Sequence, residues 1–164
     1  LVRSRGLGDV YKRQVMLSLA ITAGTISYHF VIRYVVAGIF NSVMQNRADL
    51  SKTWYQQRTW EEKLYKKLHV KKWKSKMPTY EPEKFDLRIH TPEEIAGAMC
   101  QAELSHEVIV IFSFLPLLTV PAFGAFWVFL ITSVLSAMID LSFAIMQRYN
   151  RPRIMKLCKR RKKN

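Results

Sequence analysis

The stretch "VIVIFSFLPLLTVPAFGAFWVFLITSVLSAMIDLSFAIM", residues 108–146, decides the fold because it is apolar and too long for one membrane span. Its 39 residues carry a single formal charge. At 1.5 Å per residue one helix would extend roughly 58 Å, whereas the hydrocarbon core of a bilayer is about 30 Å thick. Pro116, Pro121 and Gly124 interrupt the stretch and are helix breakers. We therefore expect a transmembrane helical hairpin over residues 107–147.

A second apolar run lies nearer the amino terminus, over residues 15–43, and carries one formal charge, Arg33. It is longer than the apolar region of a cleaved signal peptide, and no A-x-A cleavage site follows it. The chain of 164 residues is 49% apolar and has a net charge of +14. These averages hide a segregation, since the charged residues and the apolar residues lie in separate blocks. These patterns predict an all-α integral membrane protein with three transmembrane helices.

The segment between the first and second spans, residues 47–106, has its own helical pattern. Its first part, "WYQQRTWEEKLYKKLHVKKWKSKMP", mixes lysine with tryptophan and leucine at helical spacing. This pattern predicts an amphipathic helix in the cytoplasmic membrane interface that ends at Pro78. Thr91, with Pro92 and two glutamates after it, predicts the N-cap of a helix that runs into the second span.

The distribution of lysine and arginine predicts the orientation of the spans. Residues 47–76 contain ten of these cations, and the basic tail, residues 148–164, contains nine and no acid. With three spans, both regions lie on one side, which the positive-inside rule identifies as the cytoplasm. The amino terminus is then outside. Cys100 and Cys158 fall on the reducing side, so no disulfide is expected.

Residues 1–14, "LVRSRGLGDVYKRQ", place four basic residues in front of the first span, on the side predicted to be outside. They resemble the read-through leader found on sequences translated from metagenomic fragments; a truncated native region is the alternative. We expect this segment to be disordered or loosely extended, to make few contacts and to carry no function.

The motif "AELSHE" is the first candidate for chemistry. Glu103 and His106 are separated by one helical turn, so they share a face, and a carboxylate that orients an imidazole makes it a better general base. The alternative is that these residues only mark where the helix enters the bilayer. An E-x-x-H pair is also half of a di-metal site in helical bundles, but the second half is missing, so we expect no metal.

Three ionisable residues inside the spans are the second candidate. His29 and Arg33 lie one turn apart in the first span, and Asp140 lies in the third. The predicted topology puts all three in the inner half of the bilayer, at the depth of His106. Ionisable residues in spans are costly and face a cavity or pair with each other. The structural alternatives are an Arg33 that extends to the interface and an Asp140 that packs among small residues.

The end of the third span is the third candidate. The final cluster, residues 159–163, is most simply an anchor for anionic lipids. The preceding "QRYNRPR" combines three arginines with an amide and a phenol, which is more specific than anchoring requires. We expect a helix stop at Asn150–Pro152, since proline disfavours a continuing helix.

Three of these motifs, "KKWKSKMP", "AELSH" and "QRYNRPR", resemble the glycosyl-4,4'-diaponeurosporenoate acyltransferase family over about residues 50–160. The family consists of small bacterial membrane proteins that act in the last step of staphyloxanthin-type carotenoid assembly. The resemblance implies transfer of a fatty acyl group to a hydroxyl of a glycosylated membrane lipid, in the bacterial cell membrane. Glu103 and His106 match the family's "AELxH", residues 72–74 its "KWK", and residues 147–153 its terminal segment.

The resemblance and the depth of the polar residues together predict a site. His106, oriented by Glu103, would deprotonate a sugar hydroxyl that attacks an acyl thioester. We expect acyl-CoA as this donor substrate and no bound cofactor. Lysines and arginines would hold the phosphates of the donor, and Arg33 or Asn150 would face the developing oxyanion. The predicted substrate-binding residues are Lys72, Trp73, Lys74, Arg148, Asn150, Arg151, Arg153, His29, Arg33 and Asp140.

A non-enzymatic membrane subunit that binds anionic lipid or a partner protein is the alternative function. Nucleic-acid binding is disfavoured because the basic residues flank membrane spans instead of forming a soluble face. Three spans are few for enclosing a site, so a homodimer is a further expectation.

Overall fold

The structure is a computed structural model that describes the backbone of residues 2–79 and 81–161 and the side chains of residues 10–79 and 81–160. It is 82% helical, and the described residues form no strand. Three helical segments are long and apolar enough to cross a membrane: Val10–Met44, Pro92–Phe123 and Phe126–Arg160. The predicted all-α membrane fold with three spanning helices is therefore confirmed.

The first helix, α1 (Val2–Met44), begins well before the predicted span. The expectation that residues 1–14 are disordered or extended is wrong for residues 2–14, which are helical; residue 1 lies outside the described residues. No proline interrupts this segment, and adding residues to an existing helix costs far less than nucleating one. The described side chains at 10–14 are exposed.

The chain leaves α1 through a tight turn. This turn packs against α4 (Pro92–Phe112), the helix that forms most of the second spanning segment. Gln45 and Asn46 have positive φ values of 48° and 59°. The backbone N–H of Asn46 donates to Gln101 Oε1 at 2.7 Å. A Cβ added at Gly97 would clash with the Asn46 carbonyl oxygen, so only glycine allows this approach.

The interfacial segment is several short helices and not the single helix that we expected. It contains a 3₁₀ turn at Thr53–Tyr55, α2 (Thr59–Lys67), α3 (Val70–Trp73) and a 3₁₀ turn at Lys74–Lys76. The break is at His69, which has φ 52°. Tyr65 and Val70 are both buried, yet five residues apart in one straight helix would point them in nearly opposite directions. The break at His69 lets both face the protein. The end of the segment before Pro78 agrees with the prediction.

The predicted start of α4 is confirmed. Thr91 is its N-cap, with a complete capping box in which Thr91 accepts from the Glu94 N–H and Glu94 accepts from the Thr91 N–H. The helix carries much of the described core, including fully buried Ile95 and Cys100. A 3₁₀ turn, Pro82–Phe85, precedes it in an otherwise irregular crossing.

The hairpin between the second and third spans begins where α4 ends. A 3₁₀ segment, Leu115–Thr119, and α5 (Val120–Phe123) follow, each with a proline near its start. Gly124 closes the turn with φ 65°. The predicted breakers therefore lie in the turn, and α6 (Phe126–Arg161) begins two residues later.

The helix α6 continues through the predicted stop at Asn150–Pro152, and that prediction is wrong. Proline removes one backbone hydrogen bond, but two arginines that precede it, Arg148 and Arg151, are held by carboxylates elsewhere in the protein. The part of the basic tail that the structure describes, up to Arg161, is helical; residues 162–164 lie outside the described residues. The helices α4 and α6 form the main pair, and α1 packs against both.

Candidate active site

Asp140 on α6 is the centre of a polar cluster between the three spanning helices. It is 1% exposed. Arg33 of α1 donates to Asp140 Oδ2 from Nη2 at 2.6 Å and from Nε at 3.0 Å. The same guanidinium donates to the His29 carbonyl oxygen at 2.8 Å and to Ser136 Oγ at 2.8 Å. Arg33 therefore turns into the protein and does not extend to the interface.

His106 of α4 is bound to the other oxygen of the same carboxylate. Its Nδ1 lies 2.9 Å from Asp140 Oδ1. A carboxylate paired with arginine can only accept, so Nδ1 carries the proton and Nε2 is the basic nitrogen. The ring also stacks on Phe143, with centroids 5.0 Å apart and planes 14° apart. These contacts fix the orientation of the imidazole.

The predicted partner of His106 is wrong, because Asp140 and not Glu103 holds the imidazole. Glu103 is 0% exposed and lies one turn before His106 on α4. Its Oε1 accepts from Arg148 Nη1 at 2.6 Å, and its Oε2 accepts from Arg151 Nη1. Residues one turn apart share a helix face, but their side chains here pair with different parts of α6.

Two of the three arginines of the terminal motif, Arg148 and Arg151, are structural in this arrangement. Arg148 also donates two hydrogen bonds to Glu61 of α2, at 2.7 and 3.0 Å. Arg151 donates to the Tyr55 carbonyl oxygen and is 3% exposed. The predicted binding of donor phosphates by Arg148 and Arg151 has no support in this geometry, since carboxylates already occupy both guanidinium groups.

Glu61 is a site-forming residue that sequence reasoning missed. Its side chain is 2% exposed, and Tyr65 OH donates to Oε2 at 2.8 Å. Burial raises the pKa of Glu61, but the hydrogen bonds from Arg148 and Tyr65 outweigh it and hold the pKa below its usual value. Its only sequence signal was an acid in the first turn of a basic amphipathic helix.

A separate basic cluster surrounds Tyr149 in the C-terminal part of α6. Lys74 Nζ donates to Asn150 Oδ1 at 2.6 Å and lies 4.8 Å from the Tyr149 ring centroid. Arg153 lies over the same ring at 5.0 Å. Burial, Arg153 and Lys71 lower the pKa of Lys74. The structure thus brings together the predicted residues Lys74, Asn150 and Arg153.

The remaining predicted residues are less involved. Lys72 is exposed. Trp73 donates from Nε1 to the Leu68 carbonyl oxygen at 3.0 Å, across the break at His69. His29 is 5% exposed, and neither ring nitrogen has a partner among the described residues. No group of three or more potential metal ligands lies within the described part of the chain.

A comparison with protein families decides the assignment. Residues 51–160 match the family described as CrtO, glycosyl-4,4'-diaponeurosporenoate acyltransferase. The chain belongs to this acyltransferase family. Comparisons with curated proteins and with solved structures gave no match.

The match to the CrtO acyltransferases assigns the chain to the acyltransferases of carotenoid biosynthesis. It covers the interfacial helices, α4 and α6, and so includes His106, Asp140 and Glu103. It does not cover α1, which supplies Arg33 and His29. The segment outside the matched range therefore completes the polar cluster around Asp140.

Proposed function

We propose that the protein transfers a fatty acyl group from an acyl thioester to a hydroxyl of a glycosylated membrane lipid, with His106 as general base. The observation that carries this proposal is the hydrogen bond between His106 Nδ1 and Asp140 Oδ1, at 2.9 Å. It leaves Nε2 as the basic nitrogen and stabilises the imidazolium that forms when Nε2 takes a proton.

The reaction needs only groups that this chain and its two substrates supply. His106 Nε2 removes the proton of the sugar hydroxyl while that oxygen attacks the thioester carbonyl carbon. The tetrahedral intermediate collapses, the C–S bond breaks and the C–O ester bond remains. The departing sulfur takes the proton from His106, which returns the imidazole to its starting state.

The basic cluster around Tyr149 suits the phosphates of a coenzyme A donor. Among the described residues, no carboxylate pairs with Lys72, Lys74 or Arg153. A bound phosphate would relieve the repulsion that Arg153 and Lys71 exert on Lys74. At 1.5 Å per residue, the ten residues of α6 between Asp140 and Asn150 span about 15 Å. The donor therefore needs a long arm between its phosphates and its thioester, as coenzyme A has.

The acceptor that we propose is a carotenoid glycoside or a related glycolipid. The family description supports a carotenoid acceptor. The sugar hydroxyl must reach His106, whose side chain is 25% exposed and lies one turn inward from the interfacial Glu103. A sugar headgroup at the membrane boundary, held by an apolar anchor, meets that requirement.

The decisive experiment is mass spectrometry of lipids from cells that make the protein together with a glycosylated carotenoid. The wild type should add the mass of an acyl group, and His106→Ala should abolish that addition while still inserting into the membrane. His90→Ala is the matched control, because the His90 side chain is half-buried, lies far along the chain from the candidate site and pairs with Glu94, at 3.6 Å; it should keep full activity. Unchanged lipids with the wild type would instead favour a non-enzymatic subunit.

We also propose that the interfacial helices and the end of α6 lie in the cytoplasm. The contacts of Arg148 with Glu61 and of Lys74 with Asn150 hold both basic regions at one end of the bundle, which supports a common side. Lys76→Cys should react with a membrane-impermeant maleimide only in opened cells, and Ala122→Cys in intact cells. The reverse pattern would contradict this orientation.

A further inference from the structure

An apolar groove of about 500 Å³ lies between α1 and the hairpin that joins α4 to α6. This volume is within the range of ligand pockets in proteins, roughly 300–1,000 Å³. The lining residues include Leu17, Gly24 and Tyr28 of α1, and Leu115, Phe123 and Phe129 of the hairpin and α6. Hydrocarbon is the chemistry that such a lining accommodates.

The inner end of the groove adjoins the polar cluster around Asp140 on all three helices. Tyr28 OH donates to the Phe112 carbonyl oxygen at 2.8 Å. The residues that follow these two in the chain, His29 and Ser113, are both buried and polar. Ser113 Oγ lies 3.1 Å from Ser136 Oγ, and Ser136 contacts Arg33. The groove therefore ends next to the candidate active site.

Two buried polar side chains at this junction have no partner among the described residues. They are His29, with both ring nitrogens, and Ser133, with its hydroxyl oxygen. Their exposures are 5% and 0%. A buried polar group without a hydrogen bond costs about 1–3 kcal/mol, and native proteins leave few of them. Both side chains can donate to a carbonyl oxygen of a ligand.

The length of the groove fits one lipid chain. Tyr28 is eleven residues after Leu17 on α1, a rise of about 16 Å. Half of the hydrocarbon core, which holds the chains of one leaflet, is about 15 Å. The outer end is bounded by Pro116 and Phe123 of the hairpin. A flexible chain of one-leaflet length fits, whereas a rigid polyene that crosses the bilayer would be longer than the groove.

We propose that this groove binds the fatty acyl chain of the donor, with its carbonyl end beside His29 and Ser133 and its methyl end at the hairpin. The proposal rests on the proposed acyl transfer and adds to it the element that selects chain length. Gly24 lies in the wall, and a Cβ added there meets open space. A side chain added at Gly24 therefore begins in open space at the groove, and its Cβ displaces no protein atom.

The first test measures acyl selectivity. Membranes containing wild type or Gly24→Leu receive an equal mixture of lauroyl, myristoyl, palmitoyl and stearoyl coenzyme A, and the acylated lipids are weighed by mass spectrometry. Gly24→Leu should lower the ratio of stearoyl to lauroyl transfer about tenfold or more, the effect of excluding one or two methylenes from an apolar pocket. Gly38→Leu is the matched control, because Gly38 also faces open space on α1 but lies outside the groove. An unchanged profile in Gly24→Leu would overturn the proposal.

The second test does not need turnover. Palmitoyl coenzyme A with a diazirine near its methyl end is photoactivated with the His106→Ala protein, and labelled peptides are identified. Labelling should concentrate on Leu17 and Phe123. An excess of unlabelled palmitoyl coenzyme A should reduce it, and it should be absent in Gly24→Trp. Labels spread equally over the face of Gly38 indicate bulk lipid and overturn the groove. If wild type transfers no acyl group but this labelling is specific, only the proposed function fails.

Discussion

Arg33 of α1 and His106 of α4 bind the two oxygens of a single carboxylate, Asp140 of α6, at 2.6 and 2.9 Å. Arg33 neutralises the buried charge of Asp140 through Oδ2, and His106 binds the other oxygen, Oδ1. One side chain thus joins all three spanning helices and orients the proposed base. The proposed activity and the packing of the helices therefore involve the same residue.

The role of Asp140 can be tested with Asp140→Asn. The amide has nearly the same size but no charge to stabilise the imidazolium, so kcat for acyl transfer should fall about 10²- to 10⁴-fold. The measurement is the initial rate in membranes that contain equal amounts of folded protein. Because the two residues act as a unit, Asp140→Asn combined with His106→Ala should be no slower than His106→Ala alone. Multiplying losses would contradict the pairing.

Glu103 should behave differently from Asp140. Its two oxygens hold Arg148 and Arg151. Glu103→Gln removes the negative charge that balances these buried cations, so it should lower the free energy of unfolding by about 3–5 kcal/mol. Thermal unfolding in detergent measures this loss. The protein that remains folded should keep the wild-type pH profile of acyl transfer. A shifted profile would restore Glu103 as the partner of His106.

Neighbouring glutamates on α2 provide a matched pair. Glu61 is buried and receives two bonds from Arg148, whereas Glu62 is 69% exposed and pairs with Lys66. Glu61→Gln should cost about 1–3 kcal/mol of stability, the value of hydrogen bonds to a charged group. Glu62→Gln should cost no more than about 0.5 kcal/mol. Equal melting temperatures for the two variants would show that Glu61 does not hold α2 to α6.

Acid should weaken the same contact. The folded pKa of Glu61 lies below its ordinary value of 4.5, so the unfolded state binds the proton first as pH falls. Its contribution to stability is complete above that ordinary value and is lost as pH falls through the folded pKa. The melting temperatures of wild type and Glu61→Gln, compared from neutral to acidic pH, should therefore converge. A constant difference would be inconsistent with this titration.

Gly97 tests the contact between α4 and the turn after α1. Gly97→Ala would drive a methyl group into the Asn46 carbonyl oxygen and should be destabilising by about 1–3 kcal/mol. Gly38→Ala is the control, because its Cβ meets open space and alanine favours a helix by up to about 1 kcal/mol. The comparison of unfolding temperatures should give opposite signs for the two variants.

The sequence predicted the spans and part of the site because those features depend on local composition. The apolar run at 108–146, its breakers and the Thr91 cap are all local signals. The depth argument brought Arg33, Asp140 and His106 to one level, and the structure joins them.

The partners within the site were less accessible to sequence reasoning. Glu103 and His106 share a helix face, but small differences in side-chain direction send one to Arg148 and the other to Asp140. Glu61 lies in a charged segment next to the exposed Glu62, so the local composition does not indicate which of the two is buried. The helix continues past Pro152 because tertiary ion pairs on Arg148 and Arg151 offset the lost backbone bond.

The ion pair of Arg33 with Asp140 also constrains how the chain enters the bilayer during synthesis. An aspartate near the centre of a span opposes insertion by about 2.5–3.5 kcal/mol when it is alone. Its counter-charge is on α1, which is synthesised before α6. Arg33 can offset that cost during insertion only if α1 is still beside the insertion machinery when α6 emerges.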